Sequence, residues 1–195
     1  IKKSDNKNIN EIESNITYLL EDSIKKRMIS DVPIGCFLSG GIDSTLVASI
    51  MQKNSSKKIN TYTIGFEENN YNEATHSKKI SKYLGTNHNE HYFTKKDALN
   101  VVPNIHQYYD EPFADSSQIP TILLSNFTSS NLKVALSGDG GDEFFKGYNR
   151  YYWAENFSLL NKVSPRLLRS LVSKFINIIP EKSLEYLEST KSFSS

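Results

Sequence analysis

Residues 34–52 read IGCFLSGGIDSTLVASIMQ, and this stretch predicts how the chain folds. It opens with a short apolar run, which is typical of a strand buried on both faces of a sheet. The turn Ser39-Gly40-Gly41 follows, and a helix is predicted from Asp43 onward. A buried strand that passes through a glycine turn into a helix is the repeating unit of parallel α/β sheets.

The same alternation continues along the chain. The predicted strands cover 33–38, 59–66, 87–93 and 133–137, and the predicted helices cover 10–28, 43–52, 72–84, 95–109 and 119–129. Gly85 follows the third helix and is expected to cap its C-terminus. This pattern predicts an α/β fold with a parallel sheet flanked by helices on both faces.

The order changes beyond residue 153. Ser164 and Pro165 are typical of a helix start, and an apolar stripe at helical spacing runs to Ile179, before Pro180. Basic residues on this helix suit a membrane surface, but packing on a neighbouring element is the favoured interpretation. We therefore expect one domain over 1–195, with its core at 12–153 and a helical part at 154–195.

Composition excludes several classes of protein. The chain has 195 residues and a net charge of +1, which gives no electrostatic reason to expect nucleic acid or a membrane as a partner. Its apolar runs are far shorter than a membrane span. A single cysteine, Cys36, lies in an apolar strand pattern, so an inert buried thiol is expected rather than a nucleophile. One cysteine cannot form an internal disulfide, which predicts a cytoplasmic location.

The turn from Ser39 to Ser44 has the character of a phosphate-binding loop without a lysine. At a strand-to-helix junction, backbone N–H groups and the helix dipole favour an anion. Gly40 and Gly41 allow close approach, and the two serines supply hydroxyl donors. Neither the Walker pattern nor the dinucleotide fingerprint is present. In place of the Walker lysine stands Asp43, a carboxylate. A carboxylate beside a phosphate is favourable when a divalent cation such as Mg²⁺ lies between the two groups.

A second glycine-rich loop, ALSGDGGDEFF over residues 135–145, repeats this arrangement. It too follows a predicted buried strand and opens a helix. It is neither a nucleophile elbow nor an EF-hand, because the glycine and ligand spacings differ. Its donors and carboxylates are Ser137, Gly138, Asp139, Gly140, Gly141, Asp142 and Glu143. Each loop alone could be a capped turn, but two at strand ends favour one shared nucleotide site.

A histidine metal site is not expected. His88 and His91 are three residues apart on a predicted strand, so their side chains point to opposite faces of the sheet. They are therefore poorly placed to share one ion.

The loops and their flanks resemble the synthetase domain of glutamine-hydrolysing asparagine synthetases, members of the PP-loop ATP pyrophosphatases. The resemblance covers roughly residues 12–153 and depends on several blocks in the family's order, which is more specific than one glycine loop. These blocks read SDVPIGCFLSGGIDST, TYTIGFEE, YLGTNHNEH, YYDEPFADSSQIPTILLS and VALSGDGGDEFFKGYNRY.

The resemblance implies the adenine nucleotide α-hydrolase-like fold and cleavage of ATP between its α and β phosphates. It implies that Asp43 and Asp142 hold Mg²⁺ on pyrophosphate, and that the backbone of Ser39 to Gly41 cradles the β and γ phosphates. The residues that would contact adenosine are Leu38, Ile64, Ser137 and Gly138.

The resemblance also implies the acceptor chemistry. A substrate carboxylate would attack the α phosphate, and ammonia would then attack the acyl-adenylate, with Asp139 accepting a proton. Asp139 replaces the glutamate of many family members. Asp115, Ser116 and Ser117 lie where the family recognises its amino-acid substrate. Aspartate is the expected acceptor, and a sugar acid, a peptide or a β-lactam precursor is the open alternative. A nucleotide-binding scaffold without catalysis is disfavoured, because Asp43 and Asp142 are both present.

Two departures from the family concern the extent of the chain. Nothing in it matches the family's N-terminal glutaminase domain, and the family's synthetase domain continues further. We therefore expect a fragment of a longer enzyme, and whether this fragment is active by itself is left open. The full enzyme would take its ammonia from glutamine through the glutaminase domain, and the resemblance leaves a homodimer open.

Overall fold

The computed structural model describes residues 8–66, 73–111 and 114–163, with the side chains of 159–163 excepted. Contacts divide the chain into two compact units, with the boundary between Gly141 and Asp142, and each is described by itself. The helix predicted over 164–179 lies outside the described residues. The single-domain assignment stays a prediction.

The predicted elements agree closely with the structure. Its helices and strands are, in order, α1 (Ile9–Arg27), β1 (Ile34–Phe37), α2 (Ile42–Lys53), β2 (Asn60–Phe66), α3 (Ala74–Leu84), β3 (Asn87–Phe93), α4 (Lys95–Val101), α5 (Gln118–Ser129), β4 (Val134–Leu136), α6 (Gly141–Phe145) and α7 (Asn149–Val163). Gly85 ends α3 in the left-handed conformation at φ 73°, as expected. One predicted helix is divided, since α4 continues as a 3-10 helix over Val102–Gln107, where Pro103 has no N–H to donate.

The four strands form one parallel sheet in the order β3-β2-β1-β4. In register, Gly35 of β1 lies opposite Asn60 of β2 and Ala135 of β4. The sheet therefore has β1 in its interior, and the chain reaches β4 by crossing back over β1.

Helices cover both faces of this sheet. Lys78 of α3 forms an ion pair with Glu90 of β3, whereas the adjacent His91 stacks against Phe127 of α5 at 5.3 Å between ring centroids. Because neighbouring residues on a strand point to opposite faces, α3 and α5 lie on opposite sides of the sheet. The predicted fold class is confirmed.

The core lies where β1 packs against α1 and α2. Cys36 is fully buried in the cluster that includes Ile24, Leu38, Ala48 and Met51. Burial raises the pKa of the Cys36 thiol to about 12, so this thiol is protonated at neutral pH, as expected for an inert cysteine. No helix in the described ranges combines the length and hydrophobicity needed to cross a bilayer.

One strand differs from its prediction. β4 was expected to be buried, but Val134 is 40% exposed. The physical reason is position, because β4 is an edge strand of the described sheet, paired with β1 alone. An apolar run predicts a strand without showing whether the strand is central.

Candidate nucleotide site

The topology of the sheet locates a crevice. After β1 the chain proceeds to β2 and β3 on one side, and β4 is added on the other side of β1. Ligands of open parallel sheets bind at the carboxyl ends of the strands at such a switch point. The two glycine loops follow β1 and β4, so both lie at this crevice.

The first loop is organised by its own serines. The hydroxyl groups of Ser39 and Ser44 lie 2.9 Å apart, and the Ser44 hydroxyl also donates to the carbonyl of Gly41 at 3.3 Å. The N–H of Gly41 donates to Ser39 Oγ at 3.3 Å. Gly40 has φ 86°, a conformation that strongly favours glycine. The Ser44 side chain is buried, so its hydroxyl shapes the loop, while Ser39 remains exposed.

The N-terminus of α2 is open toward this loop. Its N-cap residue is Gly41, which has an extended backbone and makes no side-chain capping bond. The first N–H groups of a helix have no partner within the helix, so they need a side chain, water or a ligand. With the helix dipole, this arrangement favours a bound anion such as a phosphate.

The second loop packs directly on the first. A β carbon at Gly138 would lie 2.6 Å from the backbone nitrogen of Ser44 and 2.9 Å from the carbonyl carbon of Asp43. A β carbon at Gly141 would overlap the Asp43 carboxylate. The predicted proximity of the two loops is therefore found in the fold, and it depends on glycine at these contact positions.

The Asp43 carboxylate suits a cation bound together with a ligand. It is half-buried against Gly141 and makes no hydrogen bond or ion pair with another described residue. Among the residues that the structure describes, no group of three or more His, Cys, Asp or Glu side chains could hold a metal ion. Mg²⁺ is commonly held by one or two carboxylates together with phosphate oxygens and water. The residues present fit this mode of binding.

Asp139 is held by the residue two positions before it. The Ser137 hydroxyl donates to Asp139 Oδ2 at 2.8 Å, and the Asp139 carboxylate is otherwise exposed at the loop surface. The carboxylate therefore has a fixed neighbour and a free side from which it could accept a proton.

Asp142 belongs to the second compact unit, in the first turn of α6. The N–H of Gly147 donates to its carbonyl at 3.0 Å, and a β carbon at Gly147 would overlap its carboxylate. Within this unit Tyr148 donates a hydrogen bond to Glu143 at 2.8 Å. That bond lowers the pKa of the Glu143 carboxyl.

Leu38 and Ile64 lie at the carboxyl ends of neighbouring strands. The side chain of Leu38 is 1% exposed and belongs to the core. Its N–H donates to the Tyr62 carbonyl at 2.9 Å, and its carbonyl accepts a hydrogen bond from the Thr63 hydroxyl. Ile64 is half-buried. The contact of these two residues with adenosine stays a prediction.

The predicted substrate loop forms a turn just before α5. Asp115 accepts a hydrogen bond from the N–H of Ser117 at 2.8 Å, just before α5. This backbone hydrogen bond lowers the pKa of the Asp115 carboxyl. Ser116 is exposed. No hydrogen bond or ion pair between described residues joins this loop to the glycine loops, so its part in substrate recognition stays a prediction.

The histidines lie on opposite faces of β3, as expected. His88 Nδ1 lies 3.0 Å from the Thr61 hydroxyl on the α3 side, and His91 stacks on Phe127 of α5.

Two contacts of the first loop were missed by the sequence interpretation. The Thr63 hydroxyl donates a hydrogen bond to the Leu38 carbonyl, and the ring of His76 lies beside Gly40, 3.2 Å from where a β carbon would be. A threonine within an apolar strand was the sequence signal that could have indicated the Thr63 contact. The His76 contact had no such signal in the sequence, because it depends on how α3 packs.

An open cleft of about 400 Å³ adjoins the site. It runs along the outer side of α2, with Ile80 of α3 on its other wall and Gly40 and Gly41 at its rim. Its lining is mainly apolar, which does not suit a triphosphate. The site is therefore assigned to the strand ends, where the uncapped N–H groups and Asp43 lie.

Comparison with known proteins identifies relatives for most of the chain. The family model for asparagine synthase matches residues 15–194. The putative asparagine synthetase [glutamine-hydrolyzing] 2 of Methanocaldococcus jannaschii is 40% identical over 157 residues, which are 80% of this chain and 30% of that protein. Asparagine synthetase [glutamine-hydrolyzing] 1 of Bacillus subtilis is 32% identical over 160 residues, which are 82% of this chain and 25% of that protein.

The chain thus spans between 25% and 30% of the length of these two curated relatives. Among solved structures, NH3-dependent NAD synthetase from Campylobacter jejuni superposes with a TM-score of 0.46 and 17% identity, covering 70% of this chain and 60% of that one.

Proposed function

The chain belongs to the asparagine synthase family, and from this we propose that it is the ATP-dependent part of an enzyme that makes asparagine from aspartate. The observation that carries the proposal is the contact between the two glycine loops at Gly138 and Ser44. It joins an uncapped helix N-terminus to a carboxylate-bearing loop at the switch point of a parallel sheet. Such a site can bind a nucleotide and neutralise a leaving group.

The first step in the proposal is adenylation. An oxygen of the aspartate side-chain carboxylate attacks the α phosphorus of ATP, and the bond to the bridging oxygen of the β phosphate breaks. Pyrophosphate leaves, and β-aspartyl-AMP remains. The loop of Ser39, Gly40 and Gly41 and the first turn of α2, which includes Ser44, bind the departing phosphates. The N–H groups there that have no partner within the loop stabilise the charge that develops.

The residues that would hold Mg²⁺ are Asp43 and Asp142. When bound, this ion would neutralise the pyrophosphate charge. The absence of another described partner for the Asp43 carboxylate supports this assignment. The residues proposed to contact adenosine are Leu38, Ile64, Ser137 and Gly138.

The second step is amide formation. Ammonia attacks the carbonyl carbon of β-aspartyl-AMP, gives up a proton to Asp139, and AMP leaves. The bond from Ser137 supports this role, because it orients the carboxylate and leaves one side of it free. The proposed substrate loop of Asp115, Ser116 and Ser117 selects the acceptor. In the full-length enzyme, glutamine would supply the ammonia through a glutaminase domain.

The products of ATP distinguish this chemistry from γ-phosphoryl transfer. We expect the full-length protein, given ATP, Mg²⁺, aspartate and ammonia, to release AMP and pyrophosphate with asparagine. Chromatography of the nucleotides, together with an assay for pyrophosphate, measures this. Formation of ADP and phosphate would contradict the proposal. Release of pyrophosphate with another carboxylate, but not with aspartate, would retain adenylation and change the acceptor.

A further inference from the structure

Thr63 makes a buried hydrogen bond to the chain that enters the first glycine loop. It lies in β2, is 3% exposed, and its hydroxyl donates to the carbonyl of Leu38. Leu38 is one residue beyond the end of β1. A buried carbonyl that has passed the end of a strand still requires a donor. The side chain of Thr63 supplies it.

This bond fixes one end of a peptide group whose other end is also held. The carbonyl of Leu38 and the N–H of Ser39 belong to the same planar unit. The carbonyl accepts from Thr63, and the N–H donates to Ser44 Oγ at 3.2 Å. With both ends bonded, the peptide plane cannot rotate without breaking a hydrogen bond. Its orientation sets the direction in which the loop leaves the sheet.

We propose that Thr63 is a positioning residue of the nucleotide site. Through the Leu38–Ser39 peptide, its hydroxyl holds the phosphate-binding loop in the conformation that accepts ATP. The inference rests on the proposed function for the identity of the ligand. The contacts that carry it do not depend on that function.

The strand provides a matched control. Thr61 is two residues earlier on the same face of β2 and is fully buried. Its hydroxyl lies 2.9 Å from that of Thr86 and 3.0 Å from His88 Nδ1, away from the loop. Thr→Val at either position removes one buried hydroxyl and keeps the shape of the side chain. The Thr61→Val variant therefore measures the effect of losing a buried hydrogen bond in this strand.

The test compares Thr63→Val, Thr63→Ser and Thr61→Val in the full chain with two measurements. Amide hydrogen exchange, followed by mass spectrometry, reports the loop peptide that contains residues 38–44, and calorimetry reports the affinity for Mg²⁺-ATP. We expect Thr63→Val to exchange faster in this peptide and to bind ATP roughly tenfold more weakly, as for one lost hydrogen bond. Thr63→Ser should restore both. Thr61→Val should leave both unchanged.

The two measurements distinguish a failure of the positioning role of Thr63 from a failure of the proposed function. If loop exchange in Thr63→Val equals that of the parent chain, the positioning role is wrong, whether or not ATP binds. If exchange rises and ATP affinity is unchanged, the role in the nucleotide site is wrong. If the parent chain does not bind ATP, the proposed function fails, and loop exchange still decides whether Thr63 positions the loop. If Thr63→Val does not fold, Thr63→Ser must match the parent chain in both measurements, and a loss in either overturns the proposal.

Discussion

The α carbon of Gly138 lies against the backbone of Ser44, so that a β carbon there would be 2.6 Å from the Ser44 nitrogen. These residues are far apart in sequence and belong to the two glycine loops. Backbone atoms cannot move aside as the end of a flexible side chain can, so this position admits no side chain without a shift of one loop. The contact makes the loops a single surface at the ends of β1 and β4.

Gly138→Ala should therefore separate the loops. We expect a loss of about 1–3 kcal/mol in the free energy of unfolding, as for overpacking elsewhere, together with weaker binding of Mg²⁺-ATP. Urea unfolding and calorimetry measure the two effects. Gly85→Ala is the control, because Gly85 has φ 73° but no neighbouring atom within 4 Å of a β carbon. It should cost roughly 1–2 kcal/mol of stability without a change in ATP affinity. Equal ATP affinities for Gly138→Ala and the parent chain would contradict the assignment of this surface.

Asp43→Asn should abolish the dependence of ATP binding on Mg²⁺. The amide keeps the size of the side chain but removes the charge that a cation requires. Loss of a residue that only hydrogen-bonds to a metal ligand typically costs roughly 10–100-fold in metal affinity. Asp43 is proposed to contact the metal directly, so we expect the affinity for Mg²⁺-ATP to fall by more than this. Calorimetry with Mg²⁺ and with a chelator measures this. Asp31→Asn, an exposed carboxylate outside the loop, is the control for net charge. If the parent chain binds ATP equally well in both conditions, Asp43 does not hold a metal.

Asp139 and Asp142 should separate the two chemical steps in the full-length enzyme. Asp139→Asn keeps an oxygen that can accept from Ser137, so ATP binding should persist. Amide formation should fall on the order of 10²–10⁴-fold, as for loss of a positioned general base. Asp142→Asn should suppress aspartate-dependent release of pyrophosphate itself. The two assays are pyrophosphate release and asparagine formation. Asparagine made by Asp139→Asn at the parent rate would limit Asp139 to shaping the loop.

His88 should make the fold less stable in mild acid. Burial lowers the pKa of His88 below its usual value near 6.5, and the neighbouring charges are those of Glu90 and Lys78. Between this lowered pKa and pH 6.5, the unfolded chain therefore binds more protons at His88 than the folded chain does. The contribution of His88 to stability is present at neutral pH and is lost as the pH falls through that window.

Urea unfolding at about pH 5.5 and pH 7.5 measures this dependence. His88→Gln should show a smaller difference between the two conditions than the parent chain. The control is His106→Gln, which replaces an exposed histidine. It should show the same difference in stability between the two pH values as the parent chain. An unchanged difference in His88→Gln would show that another group is responsible.

Local patterns were sufficient for much of the fold. The alternation of apolar runs with glycine turns predicted every strand of the described sheet to within about one residue at each end, because strand and helix periods are local properties. The position of β4 at an edge was not predictable in this way. Its sequence is as apolar as that of β1, and its neighbours are decided by the crossover that returns the chain to the far side of β1.

Part of the candidate site, like part of the fold, was predictable from the sequence, and the rest was not. The sequence alone determined the residue types of the two loops, SGGIDS and SGDGGD, and these predict a bound anion and a cation. Only the tertiary structure decided that Gly138 meets Ser44 and that Thr63 holds the peptide before Ser39. These contacts depend on the register of parallel strands and on the crossover connections between them. That register is set by packing over the whole sheet, and no short stretch of the sequence encodes it.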